Sequence, residues 1–325
     1  MTKINPVNKI FFLILSIGIF VFVLFSFSNE DVSTYKPTDN IEVVLSEEVE
    51  VTTPDFSPII EEEIIPKINL IPEKVIQGEP VLIQVEGASM TDIENFSFNG
   101  KTLKIFNYEN KPSAFVGIDL NKKVGNYKIS LDLKSGDSTS TILAVLEREK
   151  YEEPLPIPDS LGGNSPANQT KVVSTLSTEN ALLANLSTGA KAFWGEKFIY
   201  PVKDPFVTDT YGYSRGTGNY TITHKGVDFR AKEGTEVYAM NRGVVRLAKE
   251  MTVYGNTVVV DHGFGLMTYY MHLSKLLVNE GQLVLPGQII GLSGATGFST
   301  GPHLHISVKI DGVSIDPIKF LEIFK

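Results

Sequence analysis

Cysteine is absent from this 325-residue chain. Its absence excludes disulfide bonds, thiolate metal sites and a cysteine nucleophile, so any metal must be held by histidine and carboxylate groups. The compartment stays open, because proteins outside the cytoplasm can also lack disulfides. Histidine is scarce, and all five histidines follow residue 223. This clustering suggests a functional site in the C-terminal part of the chain, and the spacing of the histidines has to decide whether they form one.

Basic residues are fewer than acidic ones, 29 against 38, which gives a formal net charge of −9. Residues 29–66 alone contain eleven acidic residues and one lysine, a net charge of −10, and therefore leave about +1 for the rest. No basic surplus is available to neutralise a phosphate backbone, so we expect no nucleic-acid partner. The hydrophobic fraction of 42% is typical of a globular protein.

A single long apolar run stands near the N terminus, where residues 10–27 (IFFLILSIGIFVFVLFSF) carry no charge. As a helix this run would be about 27 Å long, close to the roughly 30 Å of a bilayer's hydrocarbon core. Lysines precede the run and acidic residues follow it, which predicts a cytoplasmic tail and an outer location for the remainder. We interpret residues 1–28 as a tail and single-pass membrane anchor. Cleavage as a signal peptide, giving a secreted protein, is the alternative.

Composition divides the following residues into a linker and a small domain. Residues 29–66 are acidic, contain four prolines and lack a sustained period, which is typical of an extended linker. In residues 67–150 apolar and polar residues alternate, as they do at 127–134, and Asn99-Gly100 is a hairpin signal. This pattern predicts a small β-sandwich of the immunoglobulin-like kind with a structural or regulatory role.

The remaining segments are a second linker and a larger β domain. Residues 151–194 begin with a stretch rich in proline and glycine and continue into a short helix, for which Ser177 is the expected N-cap. Residues 195–325 contain many short β-type segments separated by glycines, which predicts an all-β domain. The fold class is therefore all-β, with a transmembrane helix at the N terminus.

Two short motifs in the last domain have the spacing of metal ligands. His224 and Asp228 are separated by four positions, and His303 and His305 by two. Even separations on strands place side chains on one face, so two such segments can present their polar groups to a shared point. Each motif alone has an ordinary explanation, an exposed strand or a turn. Together they favour a catalytic zinc site, which uses three nitrogen or oxygen ligands and keeps one position open.

The segments HKGVDF, YMHLS and GLSGATGFSTGPHLHISV resemble the signatures of the M23 peptidases, the lysostaphin-type peptidoglycan endopeptidases. The resemblance covers about residues 198–320, and the signatures stand in the order typical of that family. Residues 67–150 also resemble the β domain that precedes the catalytic domain in some members. The resemblance implies an antiparallel-β peptidase domain at residues 195–325.

The family likeness also implies roles for individual residues. His224, Asp228 and His305 would bind one Zn²⁺ per chain, while His272 and His303 would be the non-ligand pair beside the metal's water. A proton must be accepted and delivered to the leaving amine, and the developing oxyanion must be stabilised; histidine can do each near neutral pH. We favour His303 as the base and acid and His272 as its partner or oxyanion stabiliser, but the sequence leaves this assignment open.

The function implied by the resemblance is that of a zinc metalloendopeptidase outside the cytoplasmic membrane. It would hydrolyse peptide cross-links of cell-wall peptidoglycan by attack of a zinc-bound water. One alternative is a catalytically silent relative that activates other cell-wall hydrolases, although such relatives usually lose ligand residues and this chain keeps all five. A wall-binding module on an anchor is a third reading. The bond cleaved, latency, oligomeric state and any regulatory protein partner stay open.

Other residues of the last domain have more ordinary expected roles. His262 closes a β-type run before a turn and is expected to be structural or to support a metal ligand, rather than to bind the metal itself. Trp194 is expected to anchor the short helix to the β domain by packing. The stretch from Tyr211 to Arg215 either lines a groove or forms a turn at the edge of the domain.

Overall fold

The computed structural model describes residues 65–154, 157, 162–216 and 220–324. The predicted membrane anchor at 10–27 and almost all of the acidic linker lie outside the described residues. Within the described part of the chain, no helix is long and apolar enough to span a membrane. Strands make up most of the regular secondary structure of the described residues, as the alternation and the short β-type segments predicted.

The N-terminal described region is built from short strands joined by tight turns. They are β1 (Lys67–Ile71), β2 (Lys74–Ile76), β3 (Pro80–Glu86), β4 (Ile93–Phe98), β5 (Lys101–Thr102), β6 (Phe106–Tyr108), β7 (Lys111–Gly117), β8 (Gly125–Leu133), β9 (Ser138–Leu146) and β10 (Glu152–Pro154). One sheet has the order β1-β3-β7-β6 and a second has the order β2-β9-β8-β4-β5. The strand β10 leaves this region and pairs with a later strand.

The two sheets share one apolar core, so they form a β-sandwich. Ile129, Leu131 and Leu133 of β8 are buried while the residues between them are partly exposed, which is the alternation that predicted the strand. They belong to the same buried cluster as Val81 and Val85 of β3 in the opposite sheet. The two-sheet architecture predicted for this region is therefore confirmed.

The hairpin predicted at Asn99-Gly100 is also present. These two residues connect β4 to β5 and have φ angles of 49° and 79°. Positive φ at both central residues is the requirement of a type I′ turn, which asparagine and glycine meet at low cost.

The C-terminal region consists of a helix, twelve strands and a short final helix. These are α1 (Pro166–Ala184), β11 (Val207–Asp209), β12 (Ser214–Gly216), β13 (Thr221–Thr223), β14 (Val227–Phe229), β15 (Glu236–Tyr238), β16 (Gly243–Met251), β17 (Gly255–Gly263), β18 (Leu266–Leu276), β19 (Leu283–Val284), β20 (Ile289–Ser293), β21 (Leu304–Ile310), β22 (Val313–Ile315) and α2 (Pro317–Glu322). The main sheet has the order β11-β14-β21-β18-β17-β16-β19, and its pairings are antiparallel.

The central strands β17 and β18 are buried almost throughout, because both faces of the sheet are covered. Tyr270 of β18 belongs to a cluster that contains Phe320 of α2, on one face. Its neighbour Tyr269 belongs to a cluster with Leu183 of α1, on the other face. Adjacent residues of a strand point to opposite faces, so the two helices cover opposite sides of the sheet.

Helix α1 begins earlier than the sequence pattern predicted. Its N-cap is Ser165, whose hydroxyl accepts from the Asn168 backbone N–H, and Pro166 occupies the first turn. A serine cap followed by proline is a strong start signal. Ser177, the predicted cap, lies inside the helix. The error arose because the apolar spacing starts late in the helix, whose first turns carry mostly polar residues.

Trp194 anchors the sandwich to the C-terminal region. Its ring lies 5.1 Å from that of Phe106 and 6.1 Å from that of Phe115, both in the sandwich. It also lies 6.1 Å from the ring of Phe198. The predicted packing role is correct, but the aromatic partners belong to the two β regions rather than to the helix.

Candidate metal centre

Three neighbouring strands of the main sheet carry most of the predicted site residues. Asp228 lies in β14 and pairs directly with His305 of β21, and Met271 of β18 pairs with His305 on its other side. His272 follows Met271 in β18. His224 lies in the connection just after β13, and His303 just before β21. Antiparallel pairing thus brings together residues that are up to 81 positions apart in the chain.

The three predicted ligands converge on one point. His224 Nε2 lies 3.1 Å from His305 Nδ1 and 3.3 Å from Asp228 Oδ1. His305 Nδ1 lies 2.7 Å from Asp228 Oδ1. Ligand atoms about 2.0–2.1 Å from zinc in a tetrahedron are separated by about 3.3 Å, so the set has the dimensions of a small divalent cation site.

The surroundings of each histidine fix which nitrogen can bind a metal. His224 Nδ1 lies 2.7 Å from the carbonyl oxygen of Thr210, to which it must donate, and this leaves a lone pair on Nε2. Ser307 Oγ donates to the carbonyl of Lys225 and so accepts from His305 Nε2, at 2.8 and 3.0 Å. His305 then keeps its lone pair on Nδ1. Both lone pairs point towards a carboxylate oxygen, an arrangement that a cation between them would stabilise.

Asp228 supplies the negative charge of this cluster. Burial raises the pKa of its carboxyl, but the contacts with His224 and His305 outweigh burial and hold that pKa well below its usual range. Its second oxygen lies 3.6 Å from the guanidinium of Arg215, which also pairs with Asp209. The carboxylate is therefore ionised and oriented, as a metal ligand has to be. The stretch from Tyr211 to Arg215 thus contributes one residue directly to the site.

His272 and His303 lie beside the three ligands. Their ring centroids are 4.9 Å apart, and His303 Nε2 is 3.8 Å from Asp228 Oδ1. His272 Nδ1 and His303 Nδ1 each lie 2.9 Å from a backbone carbonyl, that of Thr296 and that of Gly301. In its uncharged form, each ring therefore donates through Nδ1 and carries its lone pair on Nε2.

The backbone and the burial of His272 are unusual. Its φ angle is 58°, in the left-handed region that side chains other than glycine seldom adopt. Burial, with smaller contributions from His305 and His303, lowers the pKa of His272 to about 3. Near neutral pH its ring is therefore uncharged. Strained residues of this kind cluster at functional sites and persist where the surroundings hold them.

His262 lies apart from this cluster, as predicted. It is fully buried, with Nδ1 2.8 Å from the Arg242 carbonyl and Nε2 2.9 Å from Thr268 Oγ1. Burial lowers the pKa of its imidazole to about 4. Both ring nitrogens have partners, so His262 is a neutral structural residue.

A groove of about 970 Å³ lies over the candidate metal centre. Its lining includes the segment 298–303 and residues 221–225, which precede β14. Val172, Leu176 and Asn180 of helix α1 line it as well. The sequence predicted that this helix docks on the last domain, but not that it borders the site. The spacing of apolar residues in the second half of the helix predicts a buried face. That spacing does not show which surface the face packs against.

Comparisons with known proteins agree with this geometry. Residues 222–317 match the profile of Peptidase family M23, and they form an M23 peptidase family domain. All of His224, Asp228, His272, His303 and His305 lie within the matched residues.

Two curated relatives show sequence similarity over the same part of the chain. The peptidoglycan DD-endopeptidase ShyA of Vibrio cholerae is 48% identical over 96 residues, 30% of this chain and 22% of that protein. The DD-carboxypeptidase/endopeptidase Mpg of Neisseria meningitidis is 42% identical over 121 residues, 37% of this chain and 28% of that protein. The aligned part of the chain thus spans about a quarter of the length of these relatives.

One structural relative matches a larger part of the chain. A crystal structure from Pseudomonas aeruginosa, assigned to peptidase M23, is 26% identical with a TM-score of 0.51. The match covers 77% of this chain and 96% of that chain, more than the C-terminal domain alone could supply. The likeness therefore extends into the region before the M23 domain.

Proposed function

We propose that this protein is a zinc metalloendopeptidase that hydrolyses peptide cross-links of cell-wall peptidoglycan. The observation that carries the proposal is the convergence of His224 Nε2, Asp228 Oδ1 and His305 Nδ1 beside a second pair of histidines. The substrate class is that named for the relatives from Vibrio cholerae and Neisseria meningitidis. Their names make the D,D cross-link the bond to test first.

His224, Asp228 and His305 would hold one Zn²⁺ per chain. A bound zinc ion would supply Lewis-acid polarisation of the scissile carbonyl and of a water molecule. The chain itself supplies the proton transfers. His303 Nε2 faces Asp228 across 3.8 Å, which suits it to accept a proton and return it to the leaving amine. His272, held neutral by burial, suits the stabilisation of a developing oxyanion.

A catalytically silent regulator is the competing function. Such a protein would not need two non-ligand histidines with their Nδ1 atoms fixed by carbonyl oxygens. Here both are held in this way, next to a complete ligand set. The arrangement therefore favours catalysis.

Our proposal for the location rests on the sequence. Residues 10–27 anchor the chain in the cytoplasmic membrane, and the acidic linker extends the sandwich and the M23 domain outwards; secretion after cleavage is the alternative. The sandwich, which we take to be immunoglobulin-like, serves as a spacer or as the docking site of a regulatory protein. The domain limits 67–150 and 195–325 are part of this proposal.

The test compares the wild-type protein with His305→Ala. We expect wild type to contain one zinc ion per chain and to clear a suspension of purified cell walls, because all three ligands are present. The variant should lose most of its zinc and fail to clear. Mass spectrometry of the released fragments then identifies the bond.

The surface variant Glu250→Gln is the control for effects of mutation and purification. The side chain of Glu250 is exposed and has no proposed role in the site. Equal clearing by wild type and His305→Ala would refute the catalytic assignment. Full zinc loading of His305→Ala would refute its role as a ligand.

A further inference from the structure

The buried carboxylate of Glu179 in helix α1 binds a turn of the M23 domain. Its two oxygens accept hydrogen bonds from three consecutive backbone N–H groups, those of Thr252, Val253 and Tyr254, at 2.5 to 3.2 Å. The residue is only 8% exposed. Charge-assisted bonds to backbone N–H groups are among the stronger hydrogen bonds, and here they fix the whole turn.

The carbonyl groups of the same turn hold the two segments that carry the non-ligand histidines. The Tyr254 carbonyl accepts from the backbone N–H of His272 at 3.0 Å. The Val253 carbonyl accepts from the N–H of Phe298 at 2.7 Å, in the segment that leads to His303. The backbone N–H groups of the turn are therefore bound by helix α1, and its carbonyl groups are bound by the segments that carry His272 and His303.

The turn and the segment 296–298 approach each other closely next to Gly255 and Gly297. A Cβ added at Gly255 would lie 2.3 Å from the carbonyl oxygen of Thr296, and one added at Gly297 would lie 2.3 Å from the Gly255 nitrogen. The Thr296 carbonyl is also the acceptor for His272 Nδ1. A displacement of the turn would therefore move both the backbone and the ring of His272.

His272 needs such support because its backbone has an unfavourable conformation. A non-glycine residue with a φ of 58° is strained and persists only where its surroundings hold it. The Tyr254 carbonyl accepts one of the hydrogen bonds that hold the His272 backbone in place, and Glu179 in turn accepts from the Tyr254 N–H.

We propose that Glu179 is a positioning residue for His272 and for the segment that carries His303, so that helix α1 completes a catalytic site whose reacting groups all lie within the M23 domain. This inference rests on the proposed peptidase function. It also assigns α1 a supporting role: loss of its contact with the turn lowers turnover, whereas a helix that merely covers the groove would raise turnover when its contact is lost.

The test introduces Glu179→Gln into the full chain. The matched control is Glu250→Gln, which makes the same acid-to-amide change at an exposed residue of β16 next to the turn. The amide keeps the size of the side chain but replaces one acceptor oxygen with a donor that opposes the backbone N–H groups. Turnover is measured on a soluble cross-linked muropeptide. Zinc content and the imidazole NMR signals of ¹⁵N-histidine-labelled protein are measured in parallel, and only five histidines contribute signals.

For Glu179→Gln we expect kcat to fall about tenfold with KM within about twofold, because a displacement of about 1 Å can reduce turnover by as much as about 100-fold. Zinc content should stay at the wild-type value. The signals of His272 and His303 should shift while that of His262 stays, and Glu250→Gln should match wild type in every readout.

Unchanged or higher turnover, or loss of zinc, would overturn the proposal. So would a uniform shift of all five histidine signals, which would indicate a general structural role. The NMR comparison needs no substrate. If wild type itself proves inactive, the proposed function fails, while selective shifts at His272 and His303 would still establish the positioning contact.

Discussion

The sandwich of β1–β9 and the M23 domain both bury apolar side chains in their cores, but they differ in the titratable side chains that they bury. In the sandwich, Glu79 is the sole acidic or histidine side chain among the buried residues that the structure describes there. The described part of the M23 domain buries several such groups: His224, Asp228, Asp261, His262, His272 and Asp316. Burial of a charged or polar group is costly unless it is paired, so each of these residues needs an explanation that an apolar core residue does not.

Buried titratable groups alone do not identify the site, because those of the M23 domain fall into two kinds. Asp261 has protein donors on both oxygens, including Thr188, Gly189 and Arg246. His262 likewise has partners at both nitrogens. The oxygen of Asp228, by contrast, faces nitrogens whose protons are donated elsewhere. The site therefore lies where buried groups point their lone pairs at each other, and not simply where titratable groups are buried.

The largest expected effect comes from the non-ligand histidines. In His303→Ala we expect kcat to fall by about 10²–10⁴-fold, because a positioned acid or base contributes about that much, while one zinc ion per chain is kept. His272→Ala should behave in the same way. Turnover of a cross-linked muropeptide and zinc content are the measurements. Loss of zinc from either variant would indicate that the mutated histidine is a ligand. It would then contradict the division between metal-binding and non-ligand histidines.

The grouping of these residues could be predicted only in part from strand spacing. Asp228 of β14 and His305 of β21 are directly paired and so share a face of the sheet. His224 and His303 lie just outside strands, and loop geometry brings them to 3.3 and 3.8 Å from Asp228. The alternation at 127–134 did predict the core of the sandwich, because there the period of two residues lies wholly within one strand.

The supporting residues could not be predicted from spacing. Ser307 lies in the same strand as His305, but a serine on a strand is common and only the structure shows the chain of hydrogen bonds to Lys225. Glu179 lies 73 to 75 positions before the turn that it binds, so its role depends on tertiary packing. The positive φ of His272 also comes from the tertiary fold, because the residue type does not favour it.

A smaller effect is expected when a buried hydroxyl is removed near the site. Ser307→Ala should weaken zinc binding by about 10–100-fold, because Ser307 fixes the tautomer of His305 and supporting partners of metal ligands contribute about that much. The measurement is a competition titration with a chelator. Ser113→Ala is the matched control in the sandwich, where a fully buried serine donates to the Lys111 carbonyl. It should cost about 1 kcal/mol of stability and leave zinc affinity unchanged.

The smallest effect on the site is expected from the core of the sandwich. Leu131 is fully buried in β8, and Leu131→Ala should lower the free energy of unfolding by about 2–5 kcal/mol through lost burial and a cavity. Zinc affinity and kcat should match wild type below the unfolding transition, since Leu131 belongs to a buried cluster separate from that of the M23 sheet. Ile142→Ala, on an exposed residue of β9, is the control and should change stability by less than about 0.5 kcal/mol. A fall in kcat in Leu131→Ala alone would show that the sandwich acts on the site and is not merely a spacer.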